Sequence, residues 1–366
     1  MRKFNNLTFI DLFAGIGGFR LALEYYGAKC VFSSEIDEHA CKTYKENYGE
    51  TPCGDITKIS NEQIPVHDIL CAGFPCQAFS ISGKQLGFED ARGTLFFEIA
   101  RIVNHHKPMI LFLENVKNLV RHNKNMTFKY MLNILKDLGY DVYYKILNAG
   151  DFGVPQNRER VYIVCFRKDL GVDDFEFPKP FAQHTYLKDI LLPDEETGQY
   201  VIERDDIVIW DKVITKCQPK PIRIGTINKG GQGERIYSPY GHAITLSACG
   251  GGAGAKTGAY LINGRVRKLA PRECCLVQGF PVDFKIPVSD SQAYKQFGNS
   301  VAVPVLKAIL ENMVNLKQIR KYTVAHNDER CNDNANMEIE LCKPNKMRRS
   351  KEEKVEQISF FDKISI

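Results

Sequence analysis

Short apolar runs alternate with segments of helical periodicity along the first half of the chain. Runs rich in β-branched and aromatic residues predict strands at residues 7–15, 30–37, 67–73, 109–116 and 160–167. Residues 17–27 carry apolar positions at helical spacing and stop at a glycine, which predicts a helix. This alternation of strands and helices indicates an α/β fold with a parallel-dominated sheet and crossover helices.

The pattern changes between residues 181 and 270, where helical periodicity fades and glycine-rich stretches such as "CGGGAGAKTG" appear. We expect a smaller, loop-rich domain there. Residues 303–319 return to an amphipathic helical pattern. From Thr323 onward the chain is polar and basic, which predicts a tail beyond the folded core.

Composition excludes several classes of protein. No apolar run approaches the length of a membrane span and no signal-peptide pattern is present, so we expect a cytoplasmic protein without a membrane partner. The 12 cysteines are scattered without a C-x-x-C pair, which predicts free thiols and no metal site. The net charge of +5 is compatible with a polyanionic partner but does not identify one.

Glycines and acids follow the predicted strands. Gly15 and Gly17 lie between the first strand and the first helix, where a nucleotide-like ligand can bind, although a tight strand–helix connection explains them equally well. The dinucleotide fingerprint is incomplete, because its third glycine is missing. Glu35 and Asp55 lie at later strand boundaries and could accept hydrogen bonds from such a ligand; solvated loop charges are the alternative.

Cys76 directly follows Pro75 at the end of a predicted strand, so a rigid bend presents its thiol at the root of a loop. A placed nucleophile fits this arrangement, and so does a small hydrophobic side chain at a turn. Glu114 ends another hydrophobic strand as a candidate acid. Arg158 and Arg160 precede a further strand, where they could bind a carboxylate or a base carbonyl, or form surface ion pairs.

In order, the chain carries "DLFAGIGG", "SSEID", "GDI", "GFPCQAFS", "LENV", "QNRER", "PRECCLVQGFP" and "YKQFGNSV". Together, from about residue 7 to 320, these blocks resemble the DNA (cytosine-5) methyltransferase family. The stretches "GFPCQAFSISGK" and "KGGQGERIYS" look most similar to bacterial GCGC-specific modification methyltransferases. The resemblance implies a Rossmann-like S-adenosylmethionine-dependent domain with a parallel-dominated sheet, plus a smaller target-recognition domain. The implied segments are a catalytic and cofactor part (1–188), a target-recognition domain (189–270), a hinge (271–298), a catalytic return (299–322) and a tail (323–366).

The resemblance also implies catalytic roles. Cys76 matches the nucleophile that attacks carbon 6 of cytosine, and a thiolate suits this role because it is both a strong nucleophile and a good leaving group. Glu114 matches the acid that contacts ring nitrogen 3. Arg160 matches the residue that holds the carbonyl oxygen of the base, with Arg158 beside it. The target is double-stranded DNA, so the cytosine must be flipped out of the stack.

Two further residue sets are carried over from the family. The implied cofactor contacts are Phe13, Gly15, Gly17, Glu35, Ile36, Asp55, Ile56, Pro75, Leu95 and Asn299. At position 36 this chain has an aliphatic residue where the family often has an aromatic one. The implied DNA contacts are Gln77, Ser80, Ser82, Gln232, Arg235 and Thr245. Among them, Arg235 matches an arginine that reads guanine. Departures near residues 239–242 and 253–254 leave the outer bases of the target site open.

Parts of the sequence are compatible with two alternative functions. An RNA cytosine-5 methyltransferase on the same scaffold would not need the long glycine-rich recognition stretches, and a non-catalytic DNA-binding protein would not need the intact catalytic set. We expect a monomer. In the tail, Gln357–Phe361 resembles peptides that dock on bacterial sliding clamps, and the alternative is that its apolar residues pack back on the catalytic domain.

Overall fold

A computed structural model describes residues 4–75, 94–210, 214 and 216–322. These residues all fall within the compact unit Met1–Cys331, and a second unit, Asn332–Ile366, lies outside the described residues. The predicted clamp peptide Gln357–Phe361 therefore also lies outside them, and its docking stays a prediction. None of the described helices is long and apolar enough to cross a membrane.

The larger sheet has six strands in the order β2-β1-β3-β4-β6-β5. Its strands are β1 (Thr8–Leu12), β2 (Lys29–Ser34), β3 (Ile69–Gly73), β4 (Ile110–Val116), β5 (Tyr140–Asn148) and β6 (Glu159–Arg167). The first four pair in parallel, as predicted, and β6 pairs antiparallel with both β4 and β5. The edge strand β5 was not predicted, because exposed residues such as Lys145 interrupt its apolar pattern.

Helices cover both faces of this sheet. They are α1 (Gly18–Tyr25), α2 (Glu38–Tyr48), α3 (Thr94–His106), α4 (Met126–Asp137), α5 (Pro271–Val277), α6 (Asp290–Asn299) and α7 (Val303–Asn315). Alternate side chains of one strand enter two different cores, since successive residues point to opposite faces. On β1, Phe9 belongs to the core that α1 and α7 cover, and Ile10 to the core that α3 and α4 cover.

The C-terminal helices return to the first strands, as the resemblance implied. Helix α7 packs against α1, and the Tyr26 hydroxyl donates a hydrogen bond to the Lys307 carbonyl at 2.9 Å. The prediction of one helix over residues 303–319 was wrong at its end. Helix α7 stops at Asn315, because Leu316 adopts an extended conformation with φ −64° and ψ 133°.

A second, five-stranded sheet has the order β11-β10-β9-β8-β7. Its strands are β7 (Ile207–Ile209), β8 (Arg223–Ile227), β9 (Arg235–Tyr237), β10 (Ala259–Ile262) and β11 (Arg265–Arg267). Buried side chains including Ile224, Ile236 and Val266 form a separate small core there. The predicted domain boundaries at residues 188/189 and 270/271 bracket this sheet and stay a prediction.

A buried ion pair joins this second sheet to the helix that follows it. Arg267 of β11 donates two hydrogen bonds of 2.7 Å to the two carboxylate oxygens of Glu273 in α5, and both side chains are almost completely buried. The same carboxylate also accepts hydrogen bonds from the backbone N–H groups of Ala270 and Leu192. Glu273 therefore holds three segments of chain at one point.

We expect Glu273→Ala to lower the free energy of unfolding by about 3–5 kcal/mol, because it leaves the Arg267 guanidinium buried without its counter-charge. Urea unfolding measures the change. Asp206→Ala is the matched control, since it breaks the exposed Arg204–Asp206 ion pair and should cost less than about 1 kcal/mol. Equal losses in the two variants would contradict the role assigned to the buried pair.

Candidate active site

A cavity of about 670 Å³ lies at the carboxyl ends of β1, β2, β3 and β4. Every predicted cofactor contact except Gly17 lines it, and so do Glu114, Arg158 and Arg160. Asn299, which is far from the others in sequence, reaches the cavity from the end of α6. The strand ends therefore bring most of the predicted cofactor contacts and three of the catalytic candidates to one place.

Glu35 shapes the glycine turn that forms one wall of the cavity. One carboxylate oxygen accepts a hydrogen bond from the Gly15 N–H at 2.8 Å. The other accepts from the N–H groups of Ile36 at 2.9 Å and Asp37 at 2.8 Å. Within the described residues, Glu35 thus accepts three hydrogen bonds of the roughly four that a carboxylate can accept, and its predicted hydrogen bond to a ligand stays a prediction.

Gly17 is the exception among the predicted cofactor contacts, because it does not line the cavity. It is the N-cap of α1, with a left-handed φ of 82°. A Cβ atom at this position would lie 2.3 Å from the ring of Tyr48. The structure thus explains the glycine by backbone conformation and by a close approach to Tyr48.

Ile36 and Asp55 line the side of the cavity next to β2. The side chain of Ile36 is 72% exposed, so it presents an aliphatic face without packing into the core. Asp55 caps a short 3-10 helix by accepting hydrogen bonds from the N–H and hydroxyl of Thr57 at 3.1 and 2.7 Å. These hydrogen bonds lower the pKa of Asp55, which keeps it ionised beside the cavity.

Glu114 lies near the end of β4 and is only 7% exposed. Burial raises the pKa of its carboxyl group, and the charges of Arg160 and Arg158 oppose that shift. Arg160 Nε lies 3.1 Å from Glu114 Oε1, yet this oxygen accepts no hydrogen bond among the described residues. Glu114 thus lines the cavity and has a buried carboxyl oxygen without a hydrogen-bond partner among the described residues, which suits a group that must bind or protonate a ligand.

Arg158 is buried, and its hydrogen bonds in the described structure go to the backbone. Its guanidinium donates to the carbonyl oxygens of Leu246 at 3.1 Å, Gly298 at 3.0 Å and Ser300 at 2.6 Å. Burial, and next the charge of Arg160, lower the pKa of Arg158 to about 9. These contacts assign Arg158 a positioning role, and its catalytic assignment stays a prediction.

Sequence reasoning gave no role to two other residues at the cavity. The Asn115 amide donates a hydrogen bond to the Phe74 carbonyl at 2.8 Å, which fixes the chain just before Pro75. Lys295 Nζ lies 2.5 Å from Asp37 Oδ2, and this ion pair connects α6 with the start of α2 beside the cavity. The position of Asn115 next to Glu114 was a usable signal, whereas the Lys295–Asp37 pair depends on the tertiary fold.

Four predicted residues, Cys76, Gln77, Ser80 and Ser82, lie outside the described residues. Of the other DNA-contact candidates, Arg235 begins β9 and Gln232 lies in the loop before this strand. Both are exposed, and neither lines the cavity. Thr245 donates its hydroxyl to the Asn157 carbonyl at 2.5 Å, close to Arg158 in sequence. Among the described recognition candidates, Gln232 and Arg235 are therefore absent from the cavity lining, whereas Thr245 contacts the segment that carries Arg158.

The two glycine-rich stretches of the second sheet contact each other through backbone atoms. Gly254 N donates a hydrogen bond to Gly233 O at 2.7 Å, and a Cβ atom on Gly233 would lie 2.2 Å from the Gly251 carbonyl. Glycine is required for this approach, because a side chain would collide with backbone. The contact holds the loop that carries Gln232 and Arg235.

The cavity fits S-adenosylmethionine by the chemistry of its lining. Carboxylates at Glu35, Asp37 and Asp55 can accept hydrogen bonds from hydroxyl and amino groups, and apolar atoms of Phe13 and Ile36 can pack on a planar base. In the parts of the chain that the structure describes, no group of three or more His, Cys, Asp or Glu side chains could hold a metal ion.

Comparison with known proteins identifies the family of the chain. The family model for C-5 cytosine-specific DNA methylases matches residues 7–315. The chain is 56% identical over 321 residues to the Type II methyltransferase M.HhaI of Haemophilus parahaemolyticus, covering 88% of this chain and 98% of that protein. It is 47% identical over 333 residues to the Type II methyltransferase M.HpaII of Haemophilus parainfluenzae, covering 84% and 90%.

A solved structure of a DNMT2 mutant from Spodoptera frugiperda superposes with a TM-score of 0.68, at 20% identity, over 84% of this chain and 99% of that one. At this identity the likeness concerns the fold alone. It confirms the predicted α/β methyltransferase fold.

The raised pKa of Glu114 predicts how stability depends on pH. Because the folded state holds this proton more tightly than the unfolded state, where the pKa is about 4.3, the Glu114 contribution to stability falls as pH rises above that value. We expect Glu114→Gln to equal wild type in free energy of unfolding near pH 4 and to exceed it at pH 8, with the difference levelling off once pH passes the folded-state pKa. Urea unfolding across this range measures the difference.

Asp169→Asn is the control of opposite sign. A hydrogen bond with Arg167 lowers the pKa of Asp169, so this variant should lose stability relative to wild type above pH 4. A Glu114→Gln variant that also lost stability toward pH 8 would show that the arginines outweigh burial at Glu114.

Proposed function

The chain belongs to the C-5 cytosine-specific DNA methylase family and is a DNA (cytosine-5) methyltransferase; we propose that it methylates a flipped cytosine in GCGC, or a closely related G+C-rich site, of double-stranded DNA. The observation that carries the proposal is the buried Glu114–Arg160 pair in the cavity that also holds the predicted cofactor contacts. A bacterial or phage restriction-modification system, or an orphan methyltransferase, fits this activity.

Cys76 is the proposed nucleophile. Its thiolate attacks carbon 6 of the cytosine, which forms a C–S bond and makes carbon 5 electron-rich. When bound, S-adenosylmethionine supplies the electrophilic methyl group. Loss of the carbon 5 proton and departure of the thiolate then restore the aromatic ring. Asn115 holds the Phe74 carbonyl two residues before this cysteine, which supports accurate placement of the nucleophile.

Glu114 and Arg160 are the proposed partners of the cytosine ring. A carboxyl group with a raised pKa can give a proton or hydrogen bond to ring nitrogen 3, which offsets the negative charge that thiolate attack develops. Arg160 lies on the same side of the cavity and can donate to the carbonyl oxygen of the base. Arg158 supports both by fixing the surrounding backbone.

The cofactor would be held by residues on four strand ends and α6. Glu35 and Asp55 would accept hydrogen bonds from its polar groups, while Phe13 and Ile36 would pack on its base. Asn299 would close the site from the C-terminal return. Because Ile36 stands where the family often has an aromatic residue, this chain would offer the adenine an aliphatic face instead of an aromatic ring.

Recognition of the target would belong to the second sheet and to the loop after Pro75. Arg235 would read a guanine by paired hydrogen bonds, and Gln232 would enter the space that the flipped base leaves. Thr245 would contact the backbone of the target nucleotide, and Gln77, Ser80 and Ser82 would close over the DNA. The GCGC assignment rests on the resemblance of these stretches to GCGC-specific methyltransferases.

Cys76→Ser tests the proposed function. We expect this variant to lose methyl transfer to DNA at least about a hundredfold and to keep binding S-adenosylmethionine, because serine is a far weaker nucleophile. Wild type should form a covalent complex with DNA that carries 5-fluorocytosine at the target, since fluorine cannot leave as a proton does. Transfer RNA serves as the second substrate: preferential labelling of it would favour the RNA alternative. Normal turnover by the serine variant would show that Cys76 is not the nucleophile.

Arg235→Ala tests specificity. We expect a loss of about 1–3 kcal/mol in discrimination at one guanine, measured as the ratio of kcat/KM on cognate and single-substituted DNA. Arg265→Ala is the matched control, because Arg265 is also an exposed arginine at the first position of a strand in the same sheet. An equal fall of kcat/KM on all DNA sequences would instead mean that Arg235 contacts a DNA phosphate.

A further inference from the structure

We propose that Tyr48, at the end of α2, is a positioning residue that holds the glycine turn of the cofactor cavity from behind. The inference rests on the proposed binding of S-adenosylmethionine in that cavity. Tyr48 and Gly17 are both absent from the cavity lining, so neither would touch the cofactor. Their contact would act through Gly15 and Phe13, which do line the cavity.

Tyr48 contacts the turn in two ways. Its hydroxyl donates a hydrogen bond of 2.8 Å to the Gly17 carbonyl oxygen. Its ring occupies the space in which a Gly17 side chain would lie, with the Cβ position 2.3 Å from a ring carbon. The same carbonyl also accepts the first hydrogen bond of α1, from Leu21 N at 2.9 Å. Tyr48 therefore fixes the point at which the turn becomes helix.

Arg20 braces the tyrosine. Its guanidinium carbon lies 4.7 Å from the centroid of the Tyr48 ring and 5.4 Å from that of Tyr44. Ion pairs with Glu24 at 2.7 Å and Glu50 at 2.9 Å hold the guanidinium in place. Because Arg20 is only 6% exposed, the stacked cation and ring form a fixed support rather than a surface contact.

The turn needs support because its backbone is unusual. Phe13, a non-glycine residue, has a left-handed φ of 56°, and Gly15 has a φ of 55°. Such a conformation at Phe13 persists only when surrounding contacts impose it. Glu35 holds the turn on the cavity side through Gly15 N, and Tyr48 holds it on the opposite side through Gly17 O. Loss of either contact should move the cavity wall.

Tyr48→Phe is the sharpest test, because it keeps the ring and removes only the hydroxyl. Calorimetric titration with S-adenosylmethionine and S-adenosylhomocysteine should show a Kd about 3–10-fold higher than wild type, the effect expected for one lost hydrogen bond. The Kd for target DNA and kcat at saturating cofactor should stay within about twofold. A cofactor Kd within twofold of wild type would overturn the proposal.

Tyr44→Phe is the matched control. Tyr44 lies one turn earlier on α2 and contacts the same arginine, but its hydroxyl lies against Arg20 Nη1 at 3.2 Å and Cys30 Sγ at 3.9 Å instead of the turn. This variant should keep the cofactor affinity of wild type even where its melting temperature falls. Equal weakening in both variants would mean a general packing effect and would overturn the proposal.

A double-mutant cycle tests the ring separately. Gly17→Ala should weaken cofactor binding in the wild-type background more than in the Tyr48→Ala background, because the collision with the ring is then absent. Strictly additive effects would reject the contribution of the ring. Failure of wild type itself to bind S-adenosylmethionine would instead contradict the proposed function, so the two failures are distinguishable.

Discussion

The buried guanidinium of Arg158 is the interaction on which the assembled site depends. It donates to carbonyl oxygens of Leu246, Gly298 and Ser300, which are 88 to 142 residues away in sequence. Each partner borders a functional segment: Leu246 follows Thr245, and Gly298 and Ser300 flank Asn299. A single side chain therefore fixes the backbone next to a recognition candidate and next to a cofactor candidate, and it does so beside β6, which carries the candidate Arg160.

The electrostatics of the cavity follow from burying three charged groups together. Glu114, Arg158 and Arg160 line the same cavity, and burial opposes the charged form of Glu114 and of Arg158. The outcome differs because the partners differ. The backbone carbonyls around Arg158 accept its hydrogen bonds, whereas Glu114 Oε1 has no hydrogen-bond partner in the described structure. Glu114 therefore keeps hydrogen-bonding capacity that its proposed role as an acid can use.

Position along the chain was enough to predict much of this. Acids and glycines directly after predicted strands came to one edge of the sheet, since carboxyl ends of parallel strands meet there, and the resemblance supplied Asn299. Contacts made by tertiary packing were not predictable. Nothing local to Gly17 indicates that its partner is Tyr48, and nothing local to Arg158 distinguishes backbone contacts from catalysis. The edge strand β5 was missed because one side of it faces solvent and its pattern is broken.

The wall that would hold the cofactor is fixed at two points of one turn. Glu35 accepts a hydrogen bond from Gly15 N, and Tyr48 donates one to Gly17 O. On the neighbouring strand end, Asn115 fixes the Phe74 carbonyl beside Pro75. A methyl donor must be held accurately against the carbon that receives the methyl group, because small displacements of reacting groups lower the rate. The hydrogen bonds of the described residues therefore give firm support to the part of the site on which accurate placement of the methyl donor would depend.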